Sequence, residues 1–115
     1  MADKSTDNLR LTPSEEQVML KLWSLEKATV NEILALYDEP KPAYNTVSTI
    51  VRILEKKKFI RHKPNGRGYL YSPKISKDDY KASIAKHLLT HYFDNRPEEI
   101  MSYYNSKKSL SDLLR

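Results

Sequence analysis

The chain has 115 residues, with 20 lysines and arginines against 15 aspartates and glutamates, a net charge of +5 and 39% hydrophobic residues. This length suffices for one small domain with an appendage, and the absence of cysteine excludes disulfides and thiolate metal sites. Two glycines exclude a glycine-rich phosphate loop, no apolar run approaches the roughly 20 residues that span a bilayer, and the polar start is unlike a secretory signal. We therefore expect a soluble, cytoplasmic, basic and helix-rich protein.

The basic residues are concentrated in the middle third of the chain. Residues 41–74 carry nine lysines and arginines and one acid, Glu55, whereas residues 1–40 carry four basic and eight acidic side chains. A patch of one sign produces a field that attracts a polyanion, whereas a solvated face usually mixes both signs. Charge alone leaves a nucleic-acid surface and an ordinary basic surface equally open, so the motifs must decide.

Two capping boxes predict the first two helices. Thr12-Pro13-Ser14-Glu15 combines a capping threonine, a proline at the first helical position and a glutamate three residues after the cap, and apolar residues at helical spacing follow to Leu25. Thr29-Val30-Asn31-Glu32 repeats the box and opens a second helix, which ends before Pro40. We expect Trp23 to anchor the core.

The third predicted helix, residues 43–57, has an apolar face and a face of short polar side chains. Apolar residues recur at helical spacing, and we predict them to be buried: Tyr44, Val47, Ile50, Val51 and Leu54. The opposite face holds Asn45, Thr46, Ser48, Thr49 and Arg52. Glutamate and lysine are better helix formers than asparagine, serine and threonine, so this choice indicates a surface that approaches the floor of a DNA major groove.

The third helix ends in the cluster of Lys56, Lys57 and Lys58. Cations at a helix C-terminus complement its dipole, and they also suit contact with phosphates. We predict Lys56 and Lys57 as phosphate contacts, together with Arg61 on the strand that follows.

A basic hairpin is predicted after this helix. Residues 59–63 and 69–72 are the predicted strands, joined by the turn of residues 64–68, whose Asn-Gly pair is typical of hairpins. Arg67 lies in the turn, where it is placed for a phosphate or a minor groove. Residues 27–29 are expected to add a third strand.

Three helices followed by a hairpin predict a mainly α fold with a small β-hairpin, a winged helix-turn-helix domain over residues 9–74. We expect residues 1–8 to be a disordered tail. Residues 75–115 are predicted helices whose apolar stripes are too small to be buried within themselves. We expect them to dimerise, with packing back on the domain as the alternative. The predicted dimer contacts are Tyr80, Ile84, Leu88, Tyr92, Ile100, Met101 and Tyr104.

Three stretches of the chain resemble the BlaI/MecI family of penicillinase and methicillin-resistance repressors. They are residues 11–19 (LTPSEEQVM), residues 44–57 (YNTVSTIVRILEKK) and residues 66–73 (GRGYLYSP). The resemblance implies a dimeric winged-helix repressor that binds a palindromic operator in double-stranded DNA and dimerises through its C-terminal helices. It also implies a regulatory protease or sensor protein as a partner.

On this resemblance the third helix faces DNA and Arg67 lies on the wing. The complete predicted DNA-binding set is Asn45, Thr46, Ser48, Thr49, Arg52, Lys56, Lys57, Arg61 and Arg67. Lys58 stands where the family usually has glycine, so we expect a non-glycine residue in a left-handed helix cap. Tyr103-Tyr104 stands where the resistance repressors carry Asn-Phe in their cleavage region, and the cysteine pair of copper-responsive relatives is absent.

Other functions are less consistent with the sequence. We expect no enzyme, because the three histidines have no carboxylate cluster or nucleophile beside them. His87 and His91 share a helix face, but we interpret them as flanking the dimer seam and expect no metal or cofactor. The eight tyrosines are interpreted mostly as packing residues rather than platforms for single-stranded nucleic acid. The alternative function is a winged-helix protein-interaction module that docks a partner through its C-terminal helices.

Overall fold

The first two helices begin at their predicted capping boxes. The computed structural model describes residues 10–107, and the predicted tail lies outside them. Helices α1, Pro13–Leu25, and α2, Val30–Ala35, begin after Thr12 and Thr29. In each box, the threonine hydroxyl accepts a hydrogen bond from the backbone amide of the glutamate three residues later, Glu15 or Glu32. The carboxylate of that glutamate accepts a hydrogen bond from the backbone amide of the threonine. Both capping boxes are confirmed.

Helix α3, Tyr44–Lys56, ends in a motif that directs the chain into the wing. The Phe59 amide donates to the Leu54 carbonyl at 2.9 Å and the Lys58 amide donates to the Glu55 carbonyl at 3.0 Å. These are the two hydrogen bonds of a Schellman motif, in which the residue after the cap is left-handed. Lys58 has a φ of 71°, which confirms the expected non-glycine residue in that position.

The wing is a hairpin of β1, Ile60–Asn65, and β2, Gly68–Pro73. The strands are antiparallel, and Asn65 pairs with Gly68, so the turn consists of Gly66 and Arg67. Of these two residues only Gly66 has a positive φ, 62°, which is the pattern of a type II′ turn with glycine at its first central position. The turn therefore lies within the predicted residues 64–68, and the strands extend further into that range than predicted, to Asn65 and Gly68.

A third segment pairs with the base of the wing. The Ala28 amide donates to the Tyr71 carbonyl at 2.9 Å, and the Tyr71 amide donates back to the Ala28 carbonyl at 2.8 Å. The expected contribution of residues 27–29 is confirmed, as an isolated bridge rather than a full strand.

The core joins α1, α2, α3 and the start of the wing. Its large side chains are almost fully buried: Val18, Met19, Leu22, Ile33, Val47, Val51, Leu54, Phe59 and Ile60. The prediction that Tyr44 is buried was wrong, because its side chain is 48% exposed. As the first residue of α3, it lies at the rim of the core, beside the groove described below. Ile50 is half-buried.

Tyr80 belongs to this core, which corrects its prediction as a dimer contact. It is 5% exposed, and its hydroxyl accepts a hydrogen bond of 2.8 Å from the Leu11 amide. Its ring lies 5.8 Å from that of Trp23 and 5.9 Å from that of Phe59. The Trp23 indole also donates to the Ile75 carbonyl at 2.9 Å, so Trp23 contacts the core through Tyr80 while its own side chain is only half-buried. The compact unit accordingly spans Arg10–Tyr80, past the predicted boundary at residue 74.

The second compact unit is described over residues 81–107. Its helices are the greater part of α4, Lys77–Tyr92, and α5, Pro97–Ser106. The remaining predicted dimer contacts are half-buried or exposed: Ile84 and Ile100 are half-buried, and Leu88, Tyr92, Met101 and Tyr104 are exposed. No helix in the described part of the chain has the length and apolarity to cross a membrane.

Candidate nucleic-acid interface

A groove of about 600 Å³ lies between α3 and the wing. Asn45, Ser48 and Arg52 line it from α3, where their spacing of three and four residues puts them on one side of the helix. Arg67 lines it from the tip of the wing. The structure thus brings together four of the predicted DNA-binding side chains, which are distant in sequence.

The groove is cationic and rich in hydrogen-bonding groups. None of its lining residues is acidic, and neither guanidinium has a carboxylate within 4.0 Å among the described residues. The Arg52 guanidinium donates to the Ser48 hydroxyl at 3.4 Å, which leaves most of its donors free. Free guanidiniums beside short polar side chains can hydrogen-bond to base edges and to phosphate oxygens.

Eight further residues line the groove and do not belong to the predicted DNA-binding set. They are Thr29, Val30, Asn31, Tyr44, Asn65, Gly68, Tyr69 and Tyr71. Tyr69 is 51% exposed, whereas Tyr71 is buried. Burial raises the pKa of the Tyr71 hydroxyl, and the nearby Glu55 carboxylate acts in the same direction. Tyr69 and Tyr71 are two residues apart on one strand, which predicts that both lie on the same face of the wing. No local pattern predicts Asn31, because the tertiary fold alone brings it to the groove.

The structure does not bring every predicted residue to the groove. Thr46, Thr49 and Lys56 are exposed on α3 at spacings of three and seven residues, which gives them a second side of the helix. Arg61 lies on the opposite face of the wing, because adjacent strand residues point to opposite faces. There it lines a separate depression with Lys63.

Lys57 is engaged elsewhere, which argues against its predicted phosphate contact. Its ammonium donates to both carboxylate oxygens of Glu15 at 2.8 Å, joining the end of α3 to the start of α1. Burial raises the pKa of Glu15, but hydrogen bonds from Lys57 and the Thr12 amide outweigh it, and the pKa of this carboxyl lies below its usual range.

A second polar contact joins α3 to the wing. Nδ1 of His62 is hydrogen-bonded to Oε2 of Glu55. The His62 ring also meets the Tyr69 ring edge-on, with centroids 4.6 Å apart, and lies 5.9 Å from the Tyr71 ring. The aromatic cluster of His62, Tyr69 and Tyr71 therefore faces α3 and reaches into the groove.

The histidines of α4 form a stacked pair. The ring centroids of His87 and His91 are 4.3 Å apart, and Nδ1 of His91 is hydrogen-bonded to the His87 carbonyl at 3.1 Å. Within residues 10–107, no group of three or more histidine, cysteine, aspartate or glutamate side chains is placed to hold a metal ion.

Known proteins share this sequence pattern and fold. A family model described as penicillinase repressor matches residues 11–113. A penicillinase repressor of Staphylococcus aureus is 25% identical over 113 residues, which cover 97% of this chain and 87% of that protein. The solution structure of monomeric Bacillus licheniformis BlaI with the blaP half-operator is 26% identical, with a TM-score of 0.52, over 62% of this chain and 88% of that one. The crystal structure of the S. aureus MepR–DNA complex is similar in fold, with 23% identity, a TM-score of 0.54 and coverage of 97% and 88%.

Proposed function

The chain belongs to the penicillinase repressor family, and from this premise we propose a DNA-binding transcriptional repressor that acts as a homodimer on a palindromic operator. Membership confirms the resemblance found in the sequence, and the winged-helix fold confirms the mainly helical class with a small hairpin. The family is one of repressors rather than of enzymes. The B. licheniformis relative was solved with a half-operator, which supports double-stranded DNA as the ligand.

The observation that carries the proposal is the cationic groove between α3 and the wing. Arg52 and Arg67 line it beside the short side chains Asn45 and Ser48, and within residues 10–107 neither arginine has a carboxylate partner. A helix with such side chains can approach a major-groove floor, and a guanidinium on the adjacent hairpin can reach phosphates or the minor groove.

We assign the proposed contacts by the side of α3 on which they lie. Asn45, Ser48 and Arg52 line the groove and are proposed to contact base edges and adjacent phosphates. The second side of the helix, with Thr46, Thr49 and Lys56, is proposed to contact the opposite wall of the major groove. Lys57 and Arg61 are left out of this set, because one is bound by Glu15 and the other lies on the far face of the wing.

Exposed apolar side chains support the homodimer. Leu88 and Tyr92 on α4, and Met101 and Tyr104 on α5, are between 37% and 68% exposed. Large apolar side chains exposed on both helices favour burial against a second copy, and a two-fold dimer matches two half-sites one helical turn or more apart. A regulatory protease or sensor protein stays a prediction from the resemblance.

The test is an electrophoretic mobility shift on DNA from upstream of the coding sequence, with a scrambled duplex as competitor. We expect a specific shift at dimer stoichiometry whose affinity falls steeply with salt, because several phosphates are neutralised per dimer. Equal binding to both duplexes, insensitive to salt, would instead favour the protein-interaction module.

Two substitutions separate the roles within the groove. Arg52→Ala should cost about 1–3 kcal/mol on the specific duplex and relax sequence choice, whereas Arg67→Ala should weaken binding to all duplexes. Arg61→Ala is the matched control, since it removes an arginine from the other face of the same wing. If Arg52→Ala and Arg67→Ala both leave the affinity unchanged, the groove is not the DNA site.

A further inference from the structure

The contact between Glu55 and His62 has no direct place in the proposed DNA interface. Glu55 is the one acidic residue among residues 41–74, and it lies in the last turn of α3. An acidic side chain at this place repels a polyanion, so by charge alone it weakens DNA binding. Its favourable contribution is the hydrogen bond to His62 on β1.

His62 extends this contact towards the wing tip. Strand register pairs His62 with Tyr71, and Pro64 with Tyr69, so these four side chains share one face of the hairpin. The His62 ring packs edge-on against Tyr69, and Tyr69 lines the groove together with Arg67. The aromatic cluster thus connects the end of α3 to the wall of the groove that carries Arg67.

The outer part of the wing has few other attachments. The Ala28 bridge holds the hairpin at Tyr71, which pairs with His62 in the third of the six residue pairs between the strands. Beyond it, no residue from 63 to 70 makes a hydrogen bond or ion pair with a helix among the described residues. A two-stranded ribbon twists strongly and is marginally stable alone, so the position of its tip depends on side chains that hold it to the helix.

We propose that His62 is a positioning residue that couples the wing to α3 through Glu55. It holds Tyr69, and with it the segment carrying Arg67, at a fixed distance from the DNA-facing side of α3. Helix and wing then engage DNA as one rigid body, and the contact made by Arg67 depends on Glu55 and His62. This inference rests on the proposed function, because DNA affinity is its readout.

A double-mutant cycle with Glu55→Ala and Arg67→Ala tests the coupling. Removing an acid should strengthen DNA binding if charge alone acts. We instead expect Glu55→Ala to weaken specific binding about fivefold in the wild-type background, and to leave it unchanged or stronger in the Arg67→Ala background. Asp38→Ala, which removes an acid from the loop after α2, is the charge control and should not weaken binding.

Substitutions of His62 separate positioning from general stability. His62→Ala should weaken specific binding about tenfold, and His62→Gln, whose amide can still donate to Glu55, should recover most of that loss. The midpoint of thermal unfolding of each variant, followed by circular dichroism, shows whether the fold is intact. Because His62→Gln keeps the hydrogen bond, it tests the proposal even where His62→Ala unfolds.

The outcomes distinguish this inference from the function on which it rests. If the wild type gives no specific shift, or if Arg52→Ala and Arg67→Ala both leave the affinity unchanged, the proposed function fails. If Arg52→Ala weakens binding but Arg67→Ala does not, Arg67 makes no contact for His62 to position, and the coupling is overturned. If both behave as expected but Glu55→Ala strengthens binding, or weakens it equally in both backgrounds, the coupling alone is overturned.

Discussion

The two compact units of this chain use apolar side chains in opposite ways. In Arg10–Tyr80 one apolar side of each long helix is fully buried, with Val18 and Leu22 on α1 and Val47 and Val51 on α3, whereas Tyr92, Met101 and Tyr104 of the second unit are more than half exposed. The same helical spacing predicted both sets. Spacing therefore indicates which side of a helix is apolar, and it does not indicate whether the chain itself covers that side.

The largest expected effect is the loss of stability when a buried side chain of the first unit is removed. Leu54→Ala removes a fully buried side chain and should lower the free energy of unfolding by about 3 kcal/mol, through lost burial and a residual cavity. Urea denaturation followed by Trp23 fluorescence measures this, because Trp23 lies in that unit. Met101→Ala, compared at a protein concentration where the chain is monomeric, is the control and should change the same transition by less than about 0.5 kcal/mol. If Leu54→Ala and Met101→Ala lowered the free energy of unfolding equally, the two units would not differ in how far their apolar side chains stabilise the fold.

A charge on the exposed apolar surface tests whether a second copy covers it. Leu88→Asp would bury an unpaired carboxylate in the proposed dimer and should weaken self-association roughly a hundredfold. Sedimentation equilibrium measures the monomer–dimer constant. Leu20→Asp, at a residue of comparable exposure on α1, should leave that constant unchanged. Dimers of undiminished affinity in Leu88→Asp would show that this surface has another role.

The ion pair between Lys57 and Glu15 should make the first unit sensitive to acid. The pKa of Glu15 is lowered on folding, so its contribution is fully present above its unfolded value and is lost as the pH falls through the lower folded value. Lys57→Met should therefore cost about 1 kcal/mol at pH 7, and less below about pH 4. Urea denaturation at several pH values measures both. If Lys57→Met lowered the free energy of unfolding by the same amount at every pH, the Lys57 ammonium would not be the group that lowers the pKa of Glu15.

The smallest expected effect concerns the left-handed residue at the end of α3. Lys58→Gly should raise the free energy of unfolding by about 0.5–1 kcal/mol, because glycine adopts this positive φ without a steric cost. Lys56→Gly is the matched control: it removes the same charge inside the helix and should destabilise by up to about 1 kcal/mol. If Lys58→Gly and Lys56→Gly changed the free energy of unfolding in the same direction, the left-handed φ of Lys58 would carry no steric cost.

Features set by neighbouring residues were predictable from the sequence. The capping threonines and the bounds of α3 to within one residue depend on contacts within a few positions. The left-handed Lys58 was instead predicted from the resemblance to a family that usually has glycine there. The turn of the wing lies within the predicted residues 64–68 but is shorter than predicted, because Asn65 and Gly68 pair with each other as the last residues of the two strands.

The candidate site was only partly predictable, because it forms between distant segments. The groove side of α3 follows from helical spacing, and Arg67 from its place in a turn. The engagement of Lys57 by Glu15 depends on how α1 crosses α3, and the sequence contains no local sign of it. The burial of Tyr80 likewise depends on Trp23 and Phe59, which are far from it in the chain.

The two glycines of the wing differ in how freely they could change during evolution. Gly66 needs its positive φ for the turn, whereas Gly68 has no such requirement, and a β-carbon there would meet no atom within 4 Å. Gly68 also lines the groove. A side chain acquired at position 68 would therefore extend into the proposed DNA interface with little cost to the fold. A substitution at position 68, whether natural or engineered, is therefore expected to alter the DNA sequence preference proposed for this groove.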